Sequence, residues 1–187
     1  MSSWNRRAIL WGSAGLAVVG CMPKTAPITA ASPTPIALAG VLAGKRATVR
    51  ALPEGVQRRI ERLLEARKLI PTPLSVDTLK EPLSLKRSTS QRLDWLSEQA
   101  ERTDTMMLIE LEAFYDTQIQ GRLRWTVRGT LSIASASAPD RGVQRTVDTA
   151  VFLQFLHQAE AEAVLEAATT IERTADRLLD DWLRARA

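Results

Sequence analysis

Apolar and polar side chains alternate most regularly between residues 105 and 153. Met107, Ile109, Leu111 and Ala113 fall on one side of the alternation, and Leu108, Glu110, Glu112 and Phe114 on the other. A period of two predicts a strand with one wholly apolar face. Asp116 to Gly121 reads as a turn. Leu123, Trp125, Val127, Gly129, Leu131 and Ile133 then point one way, and Arg122, Arg124, Thr126, Arg128, Thr130 and Ser132 the other. This twelve-residue alternation is a strong strand signal. After a second turn at 134–142, which holds Pro139-Asp140, Val143, Arg145, Val147, Thr149, Val151 and Leu153 mark a third strand. Connections this short join antiparallel neighbours, so the three strands form a meander.

Helical periodicity flanks the meander. Pro53-Glu54 opens a helix in which Val56, Ile60, Leu63, Leu64 and Arg67 share a face, and Ile70-Pro71 stops it. Leu74 to Leu79 is expected as a short strand, and 80–89 as a loop. Ser88 and Gln91 have the spacing of a capping box before a helix carrying Leu93, Leu96 and Ala100. From Gln158 to Arg184, Val164, Ala168, Ile171, Ala175, Leu178 and Trp182 predict one long amphipathic helix of about 40 Å. Lys45 to Leu52 alternates weakly and is expected as a first strand. Ile36 to Gly44 is apolar and small, which fits a linker, a short strand or a segment ordered by a partner. The order β-α-β-α-β-β-β-α predicts an α+β fold, a largely antiparallel sheet with helices packed on one face.

The start of the chain has another character. Arg6 and Arg7 precede an uncharged run from Ala8 to Gly20, followed by Cys21. A positive region, a short apolar stretch and small residues are the parts of an export signal. The run is too short for a membrane-spanning helix, which needs about 20 apolar residues. Val18-Val19-Gly20-Cys21 resembles the lipobox of bacterial lipoproteins. The resemblance implies cleavage before Cys21, a diacylglyceryl group on its sulfur and a fatty acyl group, such as palmitate, on the new amine. Acyl chains contribute about 0.8 kcal/mol per buried CH₂, and several together anchor a protein stably. Asn5-Arg6-Arg7-Ala8-Ile9-Leu10 also resembles a twin-arginine export motif. Met22 stands where an aspartate would mark retention at the inner membrane, so this resemblance implies the periplasmic face of the outer membrane. The expected organisation is a signal peptide at 1–20, an acylated N-terminus and Pro/Ala-rich linker at 21–44, and a single periplasmic domain at 45–187. Met22 to Pro35, extended like polyproline, would reach roughly 40 Å.

Composition narrows the functions. The 187 residues are 45% hydrophobic and 25% charged, as in a globular protein. The formal charge of +4 falls to +2 once Arg6 and Arg7 leave with the signal, which removes the electrostatic footprint of a nucleic-acid binder. One cysteine excludes an internal disulfide framework, and one histidine excludes multi-histidine metal sites. His157 has no second histidine or cysteine to join it in holding a metal. No cofactor or metal is expected. Gly40-Val-Leu-Ala-Gly44-Lys45 lacks the spacing of a phosphate loop and has Arg46 where Ser or Thr belongs. Neither a Gly-x-Ser-x-Gly elbow nor any other catalytic set is evident, so the chain is expected not to be an enzyme.

The remaining candidate is a charged surface. Glu110, Glu112, Arg124, Arg128 and Asp148 lie on the polar side of the meander, where they could meet a partner or form compensating cross-strand pairs. A first hairpin centred near 118.5 would bring Glu110 and Glu112 near Arg128 and Arg124; a second centred near 138 would set Asp148 opposite Arg128. The two glutamates also invite an acid–base reading, against which nearby arginines would lower both pKa values. Residues 45–68 carry a local charge of +5 and residues 160–187 a charge of −3, so the two helical regions are expected to neutralise each other. Trp95, Trp125 and Trp182 occupy core or rim positions.

The lipobox, tether, small α+β body and closing helix together resemble the lipopolysaccharide-assembly lipoprotein and the auxiliary lipoproteins of lipid-transport ABC systems. Thr103-Asp-Thr-Met-Met-Leu-Ile-Glu-Leu-Glu112, following a strand, helix, strand and helix, is also similar to the domain shared by the curli-secretion and penicillin-binding-protein activator lipoproteins. Thr105 and Met106 stand where that group often has an aromatic and an apolar residue. The resemblance implies a membrane-anchored, non-catalytic accessory or scaffolding subunit of an envelope assembly, transport or secretion complex, with a protein partner. The other reading is a module that binds lipid or cell-wall fragments. It predicts an apolar pocket between helices and sheet.

Overall fold

Ten residues expected to be linker or strand, Thr34–Ala43, form a strand buried on both faces, β1. The computed structural model describes residues 28–43, 49–79, 88–100, 103–154 and 160–186. Along the chain follow β2 (Val49–Ala51), α1 (Glu54–Ala66), β3 (Leu69–Pro73), a 3₁₀ turn (Val76–Leu79) and α2 (Thr89–Gln99). Then come β4 (Thr105–Ile119), β5 (Arg122–Ser135), β6 (Ala138–Leu153), α3 (Glu160–Glu166) and α4 (Ala168–Arg186). Among the described residues the architecture is α+β, with four helices against an open, six-stranded, mostly antiparallel sheet.

The sheet order is β2-β1-β4-β5-β6, and β3 pairs with the N-terminal half of β1 on the edge that β2 occupies further along. β1 runs parallel to both β3 and β4, while β4, β5 and β6 form the expected antiparallel meander. β1 escapes an alternation test because both of its faces are buried. Ile36, Leu38 and Leu42 join one core and Ala37, Ala39 and Val41 the other. A strand covered on both sides reads as a continuous apolar run. The expected boundary between linker and domain at 44/45 is therefore displaced, since the folded body includes residues well before 45. Pro71 and Pro73 do end the helical pattern, but as members of β3. Proline tolerates an edge strand, where its missing N–H faces away from the ladder. The strand expected at 74–79 is instead the 3₁₀ turn.

The large core lies on the face carrying Met107, Ile109, Leu111, Val127, Leu131 and Ile133, and α1, α3 and α4 pack there around Trp182, Ile171 and Leu178. On the opposite face, Trp95, Leu96 and Ala100 of the α2 region rest on Ala37, Met106, Leu108 and Ala134. Three helices thus share one face as expected, and α2 covers part of the other. The Ser88–Gln91 capping box is formed in both directions. The long terminal helix is interrupted at the buried Ala167. No glycine or proline is present there, and Ala167 N still donates to the Ala163 carbonyl at 3.1 Å while its own carbonyl accepts from Ile171 N at 3.0 Å, so the helical periodicity carries through the irregularity.

Charge neutralisation between the helical regions takes the form of specific pairs. Arg50 meets Glu160 and Arg59 meets Glu172, each at 3.2 Å. The third case is Arg67, which is 1% exposed and sits at an apolar-face position of the α1 pattern. It pairs with Asp176 and, at 2.7 Å, with Asp180 of α4. Burial works against its charge, and the two carboxylates more than offset that, holding the guanidinium pKa above its ordinary value. The same side chain donates to the Ile28 carbonyl at 2.8 Å, and the Arg67 carbonyl accepts from Ala30 N at 3.0 Å. Ile28 and Ala30 also pack on the large core. The segment preceding β1 is thereby fastened to α1 and α4.

Candidate interaction surface

The charged face predicted from the sequence is formed where α2 stops covering the sheet. The register sets Glu110 opposite Thr130, Glu112 opposite Arg128 and Arg128 opposite Asp148. The second hairpin thus has the pairing expected for a centre near 138. The first is displaced, because the strands run on to a turn at Gln120-Gly121 (φ 50° and 78°) with a bulge between Tyr115 and Thr117. Two successive positive φ angles suit the twist of a tight hairpin. Arg124 therefore lies opposite Thr117 and pairs with Asp116 at 3.3 Å, instead of meeting Glu112.

Glu110 is set apart from the other four. The α2 side chain Arg92, which sequence reasoning did not single out, reaches it at 2.9 Å and also donates to Thr130 Oγ1 at 3.1 Å. Thr130 Oγ1 in turn donates to Glu110 Oε2 at 3.4 Å. Burial pushes the Glu110 carboxyl above its ordinary range, and Arg92 and Thr130 only partly counter that. This is opposite to the lowering expected from nearby arginines, because desolvation under α2 outweighs them. Glu110 is drawn into the α2 contact while Glu112 stays exposed, so the two do not share an acid–base site.

Beyond Arg92 the sheet face is open. Glu112, Arg128, Asp148, Ala150 and Phe152 are all exposed there. Arg128 Nε donates to Asp148 Oδ2 at 3.0 Å, and its guanidinium lies 5.2 Å from the centre of the Phe114 ring. Phe152, opposite Arg124 on β6, is 46% exposed. Ile119, near the tip, is also among the exposed large apolar residues. Aromatic side chains and arginines are residue types enriched in protein interfaces, whereas carboxylates are depleted there. Phe114 and Phe152 were missed as site residues. Their signal was present, as aromatics in the polar register of strands whose other side is already apolar.

Other candidates fall elsewhere. Trp95 and Trp182 are buried in the two cores. Trp125 packs edge-on against Tyr115 with ring centres 6.1 Å apart. Cys21 and His157 lie outside the described residues. Among the described residues no cluster of His, Cys, Asp and Glu could hold a metal, and no helix is long and apolar enough to cross a membrane. The apolar cavity between sheet and α1, lined by Leu38, Leu52, Ile60 and Ile109 among others, is about 60 Å³.

No protein-family profile matches the chain, and no curated protein matches it. Solved structures with a related outline include bacterial lipoproteins. Lipoprotein GNA1162 from Neisseria meningitidis is 13% identical, with 77% of this chain and 99% of that one covered at a TM-score of 0.43. The PelC dodecamer from Paraburkholderia phytofirmans is 10% identical, with 84% and 91% covered at 0.42. Rare lipoprotein B from Shewanella oneidensis is 7% identical, with 80% and 92% covered at 0.29. With TM-scores this low, none of these chains lends this one its role.

Proposed function

We propose that this protein is an envelope lipoprotein, anchored through Cys21 to the periplasmic face of the outer membrane. In this reading it serves as a non-catalytic accessory or scaffolding subunit of an assembly, transport or secretion complex. The observation that carries the partner role is the open half of the sheet face. Phe114 and Phe152 stand there among Glu112, Arg124, Arg128 and Asp148, beyond the reach of α2. The anchor is read from the Val18-Val19-Gly20-Cys21 signal. The alternative is a lipid- or cell-wall-fragment-binding module. The cavity between sheet and α1 measures about 60 Å³, under the roughly 300–1,000 Å³ of ligand pockets, whereas the groove beside Leu69, Trp182 and Leu183, about 330 Å³, reaches that range and is where such a ligand would be sought.

The test is a crosslinking pull-down from membranes of the native host with the acylated protein, a Cys21→Ala form and a Phe152→Asp/Arg128→Glu form. The accessory role requires a defined set of envelope proteins that both variants lose while retaining native circular dichroism. Recovery of lipid or glycan with no protein would replace it by the ligand-binding reading.

A further inference from the structure

The end of the domain that faces the membrane follows from the length of chain between Cys21 and the first described residue fixed to the domain. Ile28 is held by Arg67 and packs on the core, so the chain between the anchor and the docked body comprises residues 22–27. Seven Cα–Cα steps separate Cys21 from Ile28, a span of at most about 25 Å. This is well under the reach expected for a tether extending to Pro35.

Ile28 sits beside the last turns of α1 and α4, next to a groove lined by Leu69, Trp182, Leu183 and Arg186. Arg186 continues to the start of β4, where it lies 3.8 Å from Asp104 and donates to Thr105 Oγ1. The tether, the α4 C-terminus and the start of β4 therefore share one end of the molecule. β4 spans 15 residues from Thr105 to Ile119, which carries its far end about 45 Å away.

We infer that the bilayer holding the anchor covers this basal end, leaving the β4–β5 tip and the Phe152 surface directed away from the lipid. The inference rests on the reading of Cys21 as the acylated residue. A tip-down orientation would lift Ile28 about 45 Å from the leaflet, roughly twice what the tether allows. The exposed basal residues Lys68, Ile70 and Arg184 then lie towards the headgroups. Asp104 and Asp140 accompany them, so the covalent link, and not a basic patch, sets the orientation. The partner surface is presented where a membrane-bound or soluble complex can approach it without displacing lipid.

Cys21 is the only cysteine, so once it is acylated a single introduced cysteine takes a label uniquely. The acylated full chain, carrying a fluorophore at Arg184→Cys or at Gln118→Cys, is placed in phosphatidylethanolamine/phosphatidylglycerol vesicles with nitroxide-labelled headgroups. Quenching at 184 is expected to exceed that at 118 by about threefold or more, given the separation along β4. Insertion of about 20 Gly/Ser residues between 27 and 28 should collapse that contrast. Equal quenching at both sites, stronger quenching at 118, or a contrast that survives the insertion would overturn the inference. Intact mass separates the two levels. A chain with no acyl mass that fails to float with the vesicles defeats the anchor reading itself, whereas an acylated, floating chain without the contrast defeats only the orientation.

Discussion

Arg67 Nη1 donates to Asp180 Oδ1 at 2.7 Å across the contact between α1 and α4, from a side chain that is 1% exposed. Its second amino group holds Asp176, and the first also holds the Ile28 carbonyl, so one guanidinium joins two helices and the segment leading into β1.

Removing Arg67 leaves two partly exposed aspartates that water can in part satisfy, together with the buried space its side chain filled. Arg67→Ala should destabilise the protein by about 1–3 kcal/mol in urea unfolding. Limited proteolysis should also show earlier cleavage in residues 28–33 than in the wild type. A loss below about 1 kcal/mol would mean that Asp176 and Asp180, both partly exposed, are satisfied by water instead.

Glu110 gives a pH dependence of defined sign. Its folded pKa is raised above the ordinary 4.5, so the folded state binds its proton more tightly than the unfolded chain does. This contribution is fully present below pH 4.5 and is lost as pH rises from there through the raised value. Glu110→Gln keeps an oxygen for Arg92 and Thr130 without the charge. Comparing unfolding midpoints of the two proteins between about pH 4 and 7 should show the variant gaining on the wild type as pH rises. A variant that loses ground over that range would show that the Arg92 pair outweighs burial.

At Gly129 the β4 backbone comes close to the glycine Cα. A Cβ there would overlap the Glu110 carbonyl oxygen and approach Leu111 Cα to 2.9 Å, and neither is the far end of a flexible side chain. Gly129→Ala should therefore cost about 1–3 kcal/mol, although alanine is ordinarily the better strand residue. Thermal unfolding measures this, and an unchanged melting temperature would mean that the strands separate easily at this point.

The hairpin turn offers a stabilising change. Gln120 holds φ at 50° ahead of Gly121 at 78°, and asparagine tolerates that conformation better than glutamine. Gln120→Asn should raise stability by about 0.5 kcal/mol, read from the urea midpoint at constant slope.

The meander, α1, the α2 capping box and the Arg128–Asp148 pairing were legible because each depends on local periodicity or on a short connection. The first hairpin was harder: a bulge at Tyr115–Thr117 and strands that run on to the Ile119–Arg122 pair moved its centre, and with it the partners of Glu112 and Arg124. β1 was hidden because burial on both faces erases alternation. Arg67 was visible as a charge on an apolar stripe, but its meaning depended on two aspartates more than a hundred residues away.

By itself the sequence determined the α+β class, the order of most elements and the expectation of an anchor at Cys21, since these follow from periods of two and 3.6 and from a contiguous signal. Only the tertiary structure decided that α2 covers part of the second sheet face and that Glu110 passes under it. It likewise decided that Phe152 remains open and that Ile28 is fastened to α1 and α4. The physical reason is that burial and desolvation depend on which distant segments come to lie together, and one-dimensional spacing carries no record of that.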